Sequence, residues 1–441
     1  MKYIKSRYVK IFKTNSDNYV FYHTFNMMIL VGTSEDADIL RAYSKVKELD
    51  DSDVSKSFKE ADMIINETFD EREYYVIEKT NRMIEDQKKQ KNRIGYARIS
   101  LTENCNLSCK YCFVNKVIGQ KKNMSDHLFI NIMNWIIEHN EGKSVLVQYF
   151  GGEPLLRMDL IDIGNKMLIE AKTAKKIIDY TQEIVTNGTL INNEIAKYFV
   201  ENKILVSVSL DGVKEVNDKN RVTFEGHGTF DSAIGGLQIY VNYGGKPSIF
   251  ITPNKDNINN FFETVNYFIE RLNVKEITVN APQPYSQGWE VDGEDFAKAV
   301  IELIKVCEEK KIIYNTPANN ILYLLKEKRT QLFSCLNISV NQNENVWGVY
   351  ITSGGKLSKC IVECNEKCTN NFDDFVMDSK FIDWHYRREM DKRCELCVGA
   401  SVCGGACTIE HIIMKNKFNV DRCKFVSKIM EWILMESCTY E

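Results

Sequence analysis

The sequence predicts an α/β protein whose central part is a partial (β/α)6 barrel, placed between an N-terminal module and a cysteine-rich C-terminal region. Short apolar runs alternate with helical stretches between residues 94 and 310, which is the pattern of parallel βα units. The first 93 residues contain no cysteine, whereas 10 of the 14 cysteines lie from Cys335 onward. Six βα units are too few to close an eight-stranded barrel, so we expect an open one.

The composition limits the function classes. Lysine and arginine number 57 and aspartate and glutamate 61, a formal net charge of −4, which argues against a nucleic-acid binder held by a large positive field. No apolar run approaches the roughly 20 residues of a membrane span, and the charged start does not resemble a signal peptide. We therefore expect a cytoplasmic protein with no nucleic-acid or membrane partner. Reduced cysteines packed this densely indicate metal binding.

The N-terminal module, residues 1–93, combines short strands with helices. Runs rich in aromatic and β-branched residues predict strands at Tyr8–Phe12, Tyr19–His23 and Met27–Val31. Thr33 and Ser34 suit a helix N-cap, and acidic residues follow in the first turn. A second helix is expected over Val54–Phe69. The charged stretch Lys79–Arg93 is expected to be a solvated linker helix.

The central region, residues 94–310, contains six strand candidates, and polar or glycine-rich residues follow the first four. Because the C-terminal ends of barrel strands form one mouth, we expect these residues to converge there. A loop with three cysteines follows the first strand, and two glycines and a glutamate follow the second. The strands are predicted at Tyr96–Leu101, Val145–Phe150, Asp179–Val185, Ile204–Leu210, Ser248–Thr252 and Glu276–Asn280, and Ser125–His139 is predicted to be one of the helices between them.

Cys105, Cys109 and Cys112 form a C-x3-C-x2-C loop. Thiolates are the ligands of iron–sulfur clusters, and a [4Fe–4S] cluster normally takes four of them. Three cysteines with no fourth nearby would leave one iron open, as at catalytic metal sites. A structural zinc site is the alternative, but it favours four protein ligands in paired C-x2-C knuckles. The loop therefore favours an open iron–sulfur cluster.

This loop, with the aromatic Tyr111 before its last cysteine, resembles the signature of radical S-adenosylmethionine (SAM) enzymes. The resemblance implies that Cys105, Cys109 and Cys112 hold a [4Fe–4S] cluster whose open iron binds SAM. Cleavage of SAM then yields a 5′-deoxyadenosyl radical, which abstracts hydrogen from the substrate.

The resemblance also implies a set of SAM-binding residues. The glycines of this set would let backbone groups approach SAM closely. Glu153 would lie near the ammonium group of SAM, and Arg221 would bind its carboxylate. The polar members equally suit capping or turn roles. The set is Tyr111, Gly151, Gly152, Glu153, Thr186, Asn187, Ser209 and Arg221.

In the C-terminal region, residues 311–441, a series of closely spaced cysteines begins at Cys394 and follows two earlier ones, Cys335 and Cys360. The whole set resembles the SPASM domain, a two-cluster extension of radical SAM enzymes that modify peptides and proteins, with a zinc ribbon as the alternative. The resemblance implies three [4Fe–4S] clusters in all. The outer auxiliary cluster would be held by Cys394, Cys397, Cys403 and Cys423, and the inner one by Cys335, Cys360 and Cys407.

The fourth ligand of the inner cluster has two interpretations. Either Cys364 or Cys368 supplies it, since both continue the C-x3-C spacing that begins at Cys360. Otherwise the iron stays open and could bind a substrate thiolate, which would favour sulfur chemistry.

Together these features predict a maturase of ribosomally made peptides. Residues 1–93 resemble the winged-helix-type recognition module of such enzymes, whose strand edge can bind a leader peptide; a stabilising cap is the alternative. The leading hypothesis is a thioether or carbon–carbon crosslink in a precursor peptide, in an anaerobic cytosol, with a flavodoxin- or ferredoxin-type reductant.

Two alternatives to peptide crosslinking are kept. One is an anaerobic sulfatase-type maturase that forms formylglycine, which the position of the loop at Cys105 disfavours. The other is a non-catalytic iron–sulfur electron-transfer protein. No spacing singles out a catalytic base.

Overall fold

The computed structural model describes residues 1–75, 77–78, 81, 94–112, 122–272, 274–282, 289–328, 347–358, 392–403, 410, 414 and 419–436. They form a mixed α/β structure with one nine-stranded sheet and two three-stranded sheets. The linker helix predicted over Lys79–Arg93 lies, apart from residue 81, outside the described residues. Among the helices described, none has the length and apolar character that a membrane crossing requires.

The elements described in the N-terminal part include two antiparallel sheets and two helices. Its elements are β1 Lys2–Lys5, β2 Val9–Lys13, β3 Tyr19–His23, β4 Ile29–Gly32, α1 Ser34–Ala42, β5 Lys47–Glu48, α2 Asp53–Glu60 and β6 Ile64–Asn66. The strand orders are β5-β1-β6 and β2-β3-β4. Phe21, Leu40 and Phe58 belong to one buried cluster that joins the second sheet to both helices.

The structure confirms the three predicted N-terminal strands and corrects one helix. β2, β3 and β4 lie within two residues of their predicted bounds. Thr33 caps α1 as expected, in a capping box with Asp36. The helix predicted over Val54–Phe69 is wrong beyond Glu60. Asp62 takes a left-handed φ of 58°, which stops the helix, and the next residues pair with β1 as β6.

The central sheet is built from strands that alternate with helices. Its elements are β7 Ile94–Thr102, α3 Asp126–Glu138, β8 Ser144–Gly151, α4 Met158–Thr173, β9 Asp179–Thr186, α5 Asn193–Glu201, β10 Leu205–Ser209, α6 Lys214–Asn220, α7 Phe230–Asn242, β11 Ser248–Ile251, α8 Phe261–Leu272, β12 Glu276–Val279, α9 Gly293–Lys310, β13 Ile313–Asn315, α10 Pro317–Lys326, β14 Trp347–Ile351 and β15 Leu357–Ser358. Three further helices are α11 Lys392–Glu395, α12 Ala400–Cys403 and α13 Val420–Glu436.

The strand order is β13-β12-β11-β10-β9-β8-β7-β14-β15. All neighbouring strands are parallel except β14 and β15. The six predicted strands are β7 to β12, each within two residues of its predicted bounds, and Ser125 caps α3. Because β13 and β15 are the two edges, the sheet is open, which is consistent with the predicted partial barrel.

Alternate residues of the strands pack against the helices. Ile99, Val147 and Ile184 are fully buried there, so the intervening residues form the opposite face, called the inner face below. Helix α9 packs on α13, where the rings of Phe296 and Phe425 stack with centroids 4.8 Å apart. This helix pair connects the C-terminal cysteine region to the central sheet.

Candidate active site

The loop with Cys105, Cys109 and Cys112 begins directly after β7. Hydrogen bonds tie it to the end of α6 and the residues that follow: the Ser108 amide donates to the Val222 carbonyl at 2.8 Å, and the Lys110 amide donates to the Asn220 carbonyl at 2.9 Å. All three cysteines are free and partly exposed. The three thiols are therefore presented by a loop that is anchored at the C-terminal end of the sheet.

Gly151 and Gly152 let the end of β8 approach this loop. The Gly152 amide donates to the Thr102 carbonyl at 2.7 Å. A Cβ at Gly152 would lie 2.2 Å from the Asn104 carbonyl oxygen, and one at Gly151 would lie 2.2 Å from that of Thr102. The glycines were expected to admit a ligand, and in the structure they admit the backbone that leads into Cys105.

Glu153 is fully buried and accepts three hydrogen bonds. Its donors are the Thr186 hydroxyl at 2.7 Å, the Asn187 amide at 2.8 Å and the Leu155 amide at 3.1 Å. Burial raises the pKa of Glu153 to about 7, against the effect of these donors. The Asn187 side chain contacts the Cys105 sulfur at 3.9 Å. Glu153 thus fixes the residues that follow β9 beside the cysteine loop.

The raised pKa of Glu153 predicts a pH-dependent stability. Between pH 4.5 and about 7 the folded protein binds more protons at Glu153 than the unfolded chain does, so stability falls as pH rises through this window. Relative to Glu153→Gln, which cannot titrate there, the wild type should lose about 3 kcal/mol between pH 4.5 and pH 8. Denaturant unfolding at several pH values measures this, with the exposed Glu302→Gln as a control that keeps the wild-type pH dependence. If the free energy of unfolding changed with pH in the same way for Glu153→Gln and for the wild type, the prediction would be contradicted.

Asp211 connects two of the predicted SAM-binding residues. It is fully buried and accepts from Arg221 Nε at 2.9 Å and Nη2 at 3.2 Å. The Tyr111 hydroxyl also donates to it, and the Arg221 guanidinium lies 5.5 Å from the Tyr111 ring centroid. Burial opposes the charge on Arg221, but Asp211, Tyr111 and Cys109 together outweigh it and raise the pKa of the guanidinium.

Arg221 and Tyr111 were predicted to bind SAM, whereas no role was predicted for Asp211. Its position after the fourth predicted strand was the available signal, but the pairing itself spans 100 positions from Tyr111. Ser209 ends β10 on the inner face, next to Phe250 in the adjacent strand. Thr186 ends β9 and Asn187 follows it, so all the predicted SAM-binding residues lie at the C-terminal side of the sheet or in the loops beyond it.

The four cysteines predicted to hold the outer cluster lie close together. Burial, together with repulsion from Cys397, Cys423 and Cys394, raises the pKa of Cys403 to about 12, while Arg422 opposes the shift. A Cβ at Gly399 would lie 2.3 Å from a methyl carbon of Val426, so α13 packs tightly on the loop between the cysteines. All four are partly exposed.

The N-terminal part contacts this outer cysteine region. Glu395, which lies between the first two cysteines, pairs with Arg7 at 3.4 Å and accepts a hydrogen bond from the Tyr8 hydroxyl at 3.4 Å. The buried Ser401 hydroxyl donates to the Thr24 carbonyl at 2.6 Å. These contacts were not anticipated, because they join residues nearly 400 positions apart.

The three thiols of the cysteine loop are the donor type that a [4Fe–4S] cluster takes. Burial raises the pKa of Cys105 to about 12, and such a thiol becomes a thiolate when bound metal supplies positive charge. Within the described ranges, no three His, Cys, Asp or Glu side chains converge closely enough to hold one metal ion. A cluster spreads its thiolates over several irons, whereas zinc gathers them on one. The residues predicted for the inner cluster, Cys335, Cys360, Cys364, Cys368 and Cys407, lie outside the described residues.

Comparison with known proteins identifies the central region. Residues 99–270 match the family model described as the Radical SAM superfamily. This chain contains a radical SAM domain. The matched residues include the cysteine loop, the Gly-Gly-Glu segment and Arg221, and the assignment counts against a non-catalytic electron-transfer protein. The N-terminal part and the outer cysteines lie outside the matched range.

Curated relatives of the radical SAM domain include a sulfatase-maturating enzyme and a cyclopropyl synthase. A cysteine-type anaerobic sulfatase-maturating enzyme of Clostridium novyi is 31% identical over 172 residues, which cover 38% of this chain and 46% of the relative. The radical SAM cyclopropyl synthase TigE of Paramaledivibacter caminithermalis is 25% identical over 337 residues, 70% of this chain and 69% of TigE. The chain therefore spans about half the length of the sulfatase-maturating relative.

Two solved structures show the same fold. The anSMEcpe structure with bound AdoMet has a TM-score of 0.66 and 19% identity, covering 78% of this chain and 98% of that one. Streptococcus suis SuiB, bound to the precursor peptide SuiA, has a TM-score of 0.55 and 16% identity, covering 93% of this chain and 97% of SuiB. At these identities the likeness concerns the fold alone, and it extends over most of the chain.

Proposed function

We propose that this protein is a radical SAM peptide maturase that installs a thioether or carbon–carbon crosslink in a ribosomally made precursor peptide. The observation that carries the proposal is the anchored three-cysteine loop at the C-terminal end of an open parallel sheet, beside the Gly-Gly-Glu segment. The likeness to SuiB supports the substrate class, because SuiB was solved with a precursor peptide.

In this proposal Cys105, Cys109 and Cys112 hold the catalytic cluster. When bound, the cluster and SAM supply a 5′-deoxyadenosyl radical that takes hydrogen from an unactivated carbon. Glu153 acts by holding Thr186 and Asn187 in place through its hydrogen bonds. Asp211 orients Arg221 and Tyr111 in the same way, leaving Arg221 Nη1 outside the Asp211 pair.

We assign the outer auxiliary cluster to Cys394, Cys397, Cys403 and Cys423, whose thiols lie close together. A second auxiliary cluster on Cys335, Cys360 and Cys407 remains part of the proposal on the sequence pattern alone. On the same ground, Cys364 or Cys368 remains the proposed fourth ligand of this second auxiliary cluster. A SPASM domain over 311–441 would then bring the total to three [4Fe–4S] clusters.

We further propose that residues 1–93 bind a leader peptide, as a winged-helix-like module. The two small antiparallel sheets offer strand edges to which an extended peptide could add. Deleting this module is a poor test, because it would also remove the contacts that Arg7 and Tyr8 make with Glu395 beside the outer cysteines. A leaderless peptide offered to the intact enzyme tests the role without that disturbance.

The remaining features of the proposal follow from the chemistry. Exposed iron–sulfur clusters are oxygen-labile, so we expect an anaerobic cytoplasm and a flavodoxin- or ferredoxin-type electron donor. A sulfatase-type maturase that forms formylglycine is the second candidate, and the Clostridium novyi relative favours it. The likeness to SuiB covers a larger share of this chain than the likeness to anSMEcpe does, 93% against 78%, which favours a precursor peptide.

One anaerobic incubation tests the proposal. The reconstituted enzyme is mixed with a reductant, SAM and peptides encoded beside its gene, and both 5′-deoxyadenosine and the peptide mass are measured. Crosslinking predicts a peptide that has lost the mass of two hydrogen atoms and that does not fragment between two residues. An unmodified gene-neighbour peptide, together with formylglycine in a sulfatase-derived peptide, would support the second candidate instead.

A further inference from the structure

A row of polar side chains crosses the inner face of the sheet. It consists of Tyr96 and Arg98 on β7, Gln148 on β8, Glu183 on β9 and Ser207 on β10, and is called the inner row below. Gln148 donates to Glu183 at 2.7 Å, and Ser207 donates to the other oxygen of Glu183 at 2.7 Å. The Tyr96 hydroxyl donates to Gln148 at 2.7 Å. The row is therefore ordered by its own hydrogen bonds.

Arg98 is the positive member of this row, and its charge has no carboxylate partner among the described residues. Its Nε donates to the Tyr96 hydroxyl at 2.8 Å and also to Gln148. Glu183 accepts from Gln148 and Ser207 instead, so Gln148 separates the two charges. Within the described part of the chain, neither Nη atom of Arg98 has a hydrogen-bond partner.

The position of this guanidinium is fixed from both sides. Its central carbon lies 5.1 Å from the Phe150 ring centroid and 5.7 Å from that of Tyr96. In the register of β7 and β8, Arg98 pairs with Gln148, and Phe150 lies one inward-facing residue nearer the Gly151 end. The guanidinium thus lies on the inner face just below the mouth, held at Nε and flanked by rings, with its Nη edge available.

A partly buried guanidinium without a counterion is unfavourable unless a ligand supplies one. The planar fork of an arginine matches a carboxylate with two parallel hydrogen bonds. Aromatic rings that lie against the faces of a guanidinium stabilise its positive charge and leave the N–H groups at its edge free for hydrogen bonds. SAM is a poor candidate for this carboxylate, because the residues proposed to bind it lie at or beyond the strand ends, whereas Arg98 lies inside the sheet.

We propose that Arg98 binds a carboxylate of the substrate peptide and so sets which part of the peptide reaches the cluster. This rests on the proposed peptide maturase function. The carboxylate comes from an aspartate or glutamate side chain near the modified residue or from the C-terminus of the peptide. The inner row holds the arginine in the geometry that two parallel hydrogen bonds require.

The test compares holoenzyme variants on a gene-neighbour precursor peptide that the wild type modifies. Arg98→Gln should raise the KM for the peptide by about 10- to 100-fold, with a smaller change in kcat. Arg98→Lys, which keeps the charge but not the fork, should fall between, and guards against a folding defect in the first variant. The exposed Arg271→Gln should behave as the wild type.

The peptide is varied in parallel. Each aspartate and glutamate is replaced singly by asparagine or glutamine, and one peptide carries a C-terminal amide. With the wild-type enzyme, the KM for one of these varied peptides should be raised. The increase should be about as large as the one that Arg98→Gln causes with the intact peptide. Combined with Arg98→Gln, that peptide should cause little further loss. Which peptide behaves so identifies the source of the carboxylate.

Three outcomes would overturn the inference. In the first, Arg98→Gln processes the intact peptide with the wild-type KM. In the second, every neutralised peptide is processed by the wild type as well as the intact one. In the third, Arg98→Gln raises the KM for SAM rather than for the peptide. Failure of the proposed function is distinct: the wild type then forms 5′-deoxyadenosine but modifies no peptide, and the inference falls with it.

Discussion

Replacing Asp211 with asparagine is expected to lower the free energy of unfolding by about 3–5 kcal/mol, because it leaves a buried charge without its partner. Asp211 is fully buried, and Arg221 donates to it at 2.9 Å and 3.2 Å. Asparagine has the same size but no charge, so the guanidinium becomes an unpaired buried cation. Asparagine also keeps only one acceptor oxygen for the donors that the two carboxylate oxygens of Asp211 now receive, the Tyr111 hydroxyl among them. Denaturant unfolding of the iron-free protein, followed by circular dichroism, measures the effect.

The matched control is Asp38→Asn. Asp38 pairs with Arg41 at 2.9 Å, but 73% of its side chain is exposed, and pairs of this kind contribute little because water screens them. Its unfolding curve should therefore overlay that of the wild type. If Asp211→Asn were as stable as Asp38→Asn, the buried pair would not have the role assigned to it. If Asp211→Asn lost the iron of the cluster proposed on Cys105, Cys109 and Cys112 and Asp38→Asn did not, the buried pair would also be shown to support the cysteine loop.

Replacing Gly152 with alanine is expected to disable the SAM site while leaving the rest of the fold in place. The added Cβ would lie 2.2 Å from the Asn104 carbonyl oxygen and 2.8 Å from that of Glu103, so the backbone that leads into Cys105 has to move. Small displacements of reacting groups cost about 100-fold in rate. We expect 5′-deoxyadenosine formation to fall at least about 100-fold, with the iron of one cluster lost per chain.

Gly235→Ala is the control for this substitution. Gly235 lies within α7, and a Cβ there meets nothing within 4 Å. Alanine also favours a helix over glycine by roughly 0.5–1 kcal/mol. This variant should keep full iron content and activity. If Gly152→Ala matched it in both, close packing between β8 and the cysteine loop would not be needed for the SAM site.

The strands and helix caps could be predicted from the sequence because their signals are local. The six predicted strands, β7 to β12, were recognised from apolar runs of the right length. Thr33 was recognised as a cap from its hydroxyl side chain, placed before an acidic first turn. The three-cysteine loop was recognised because the C-x3-C-x2-C spacing brings three thiol ligands together within a few residues. In each case a few neighbouring residues contain the information.

The features that escaped prediction depend on contacts between distant residues. β6 was taken for helix because its apolar residues continue the pattern of α2, and only its pairing with β1 makes it a strand. Asp211 pairs with Arg221 and Tyr111 through the tertiary fold. Tyr8 reaches Glu395 across 387 positions. No local pattern in one sequence encodes such pairs.

The most direct test of the central claim is whether the reduced, reconstituted protein cleaves SAM. The account predicts that 5′-deoxyadenosine forms in the anaerobic incubation, that it increases when the correct precursor peptide is added, and that Cys105→Ala forms none. A protein that holds its full iron and is fully reduced, yet releases no 5′-deoxyadenosine with any peptide, would contradict the account.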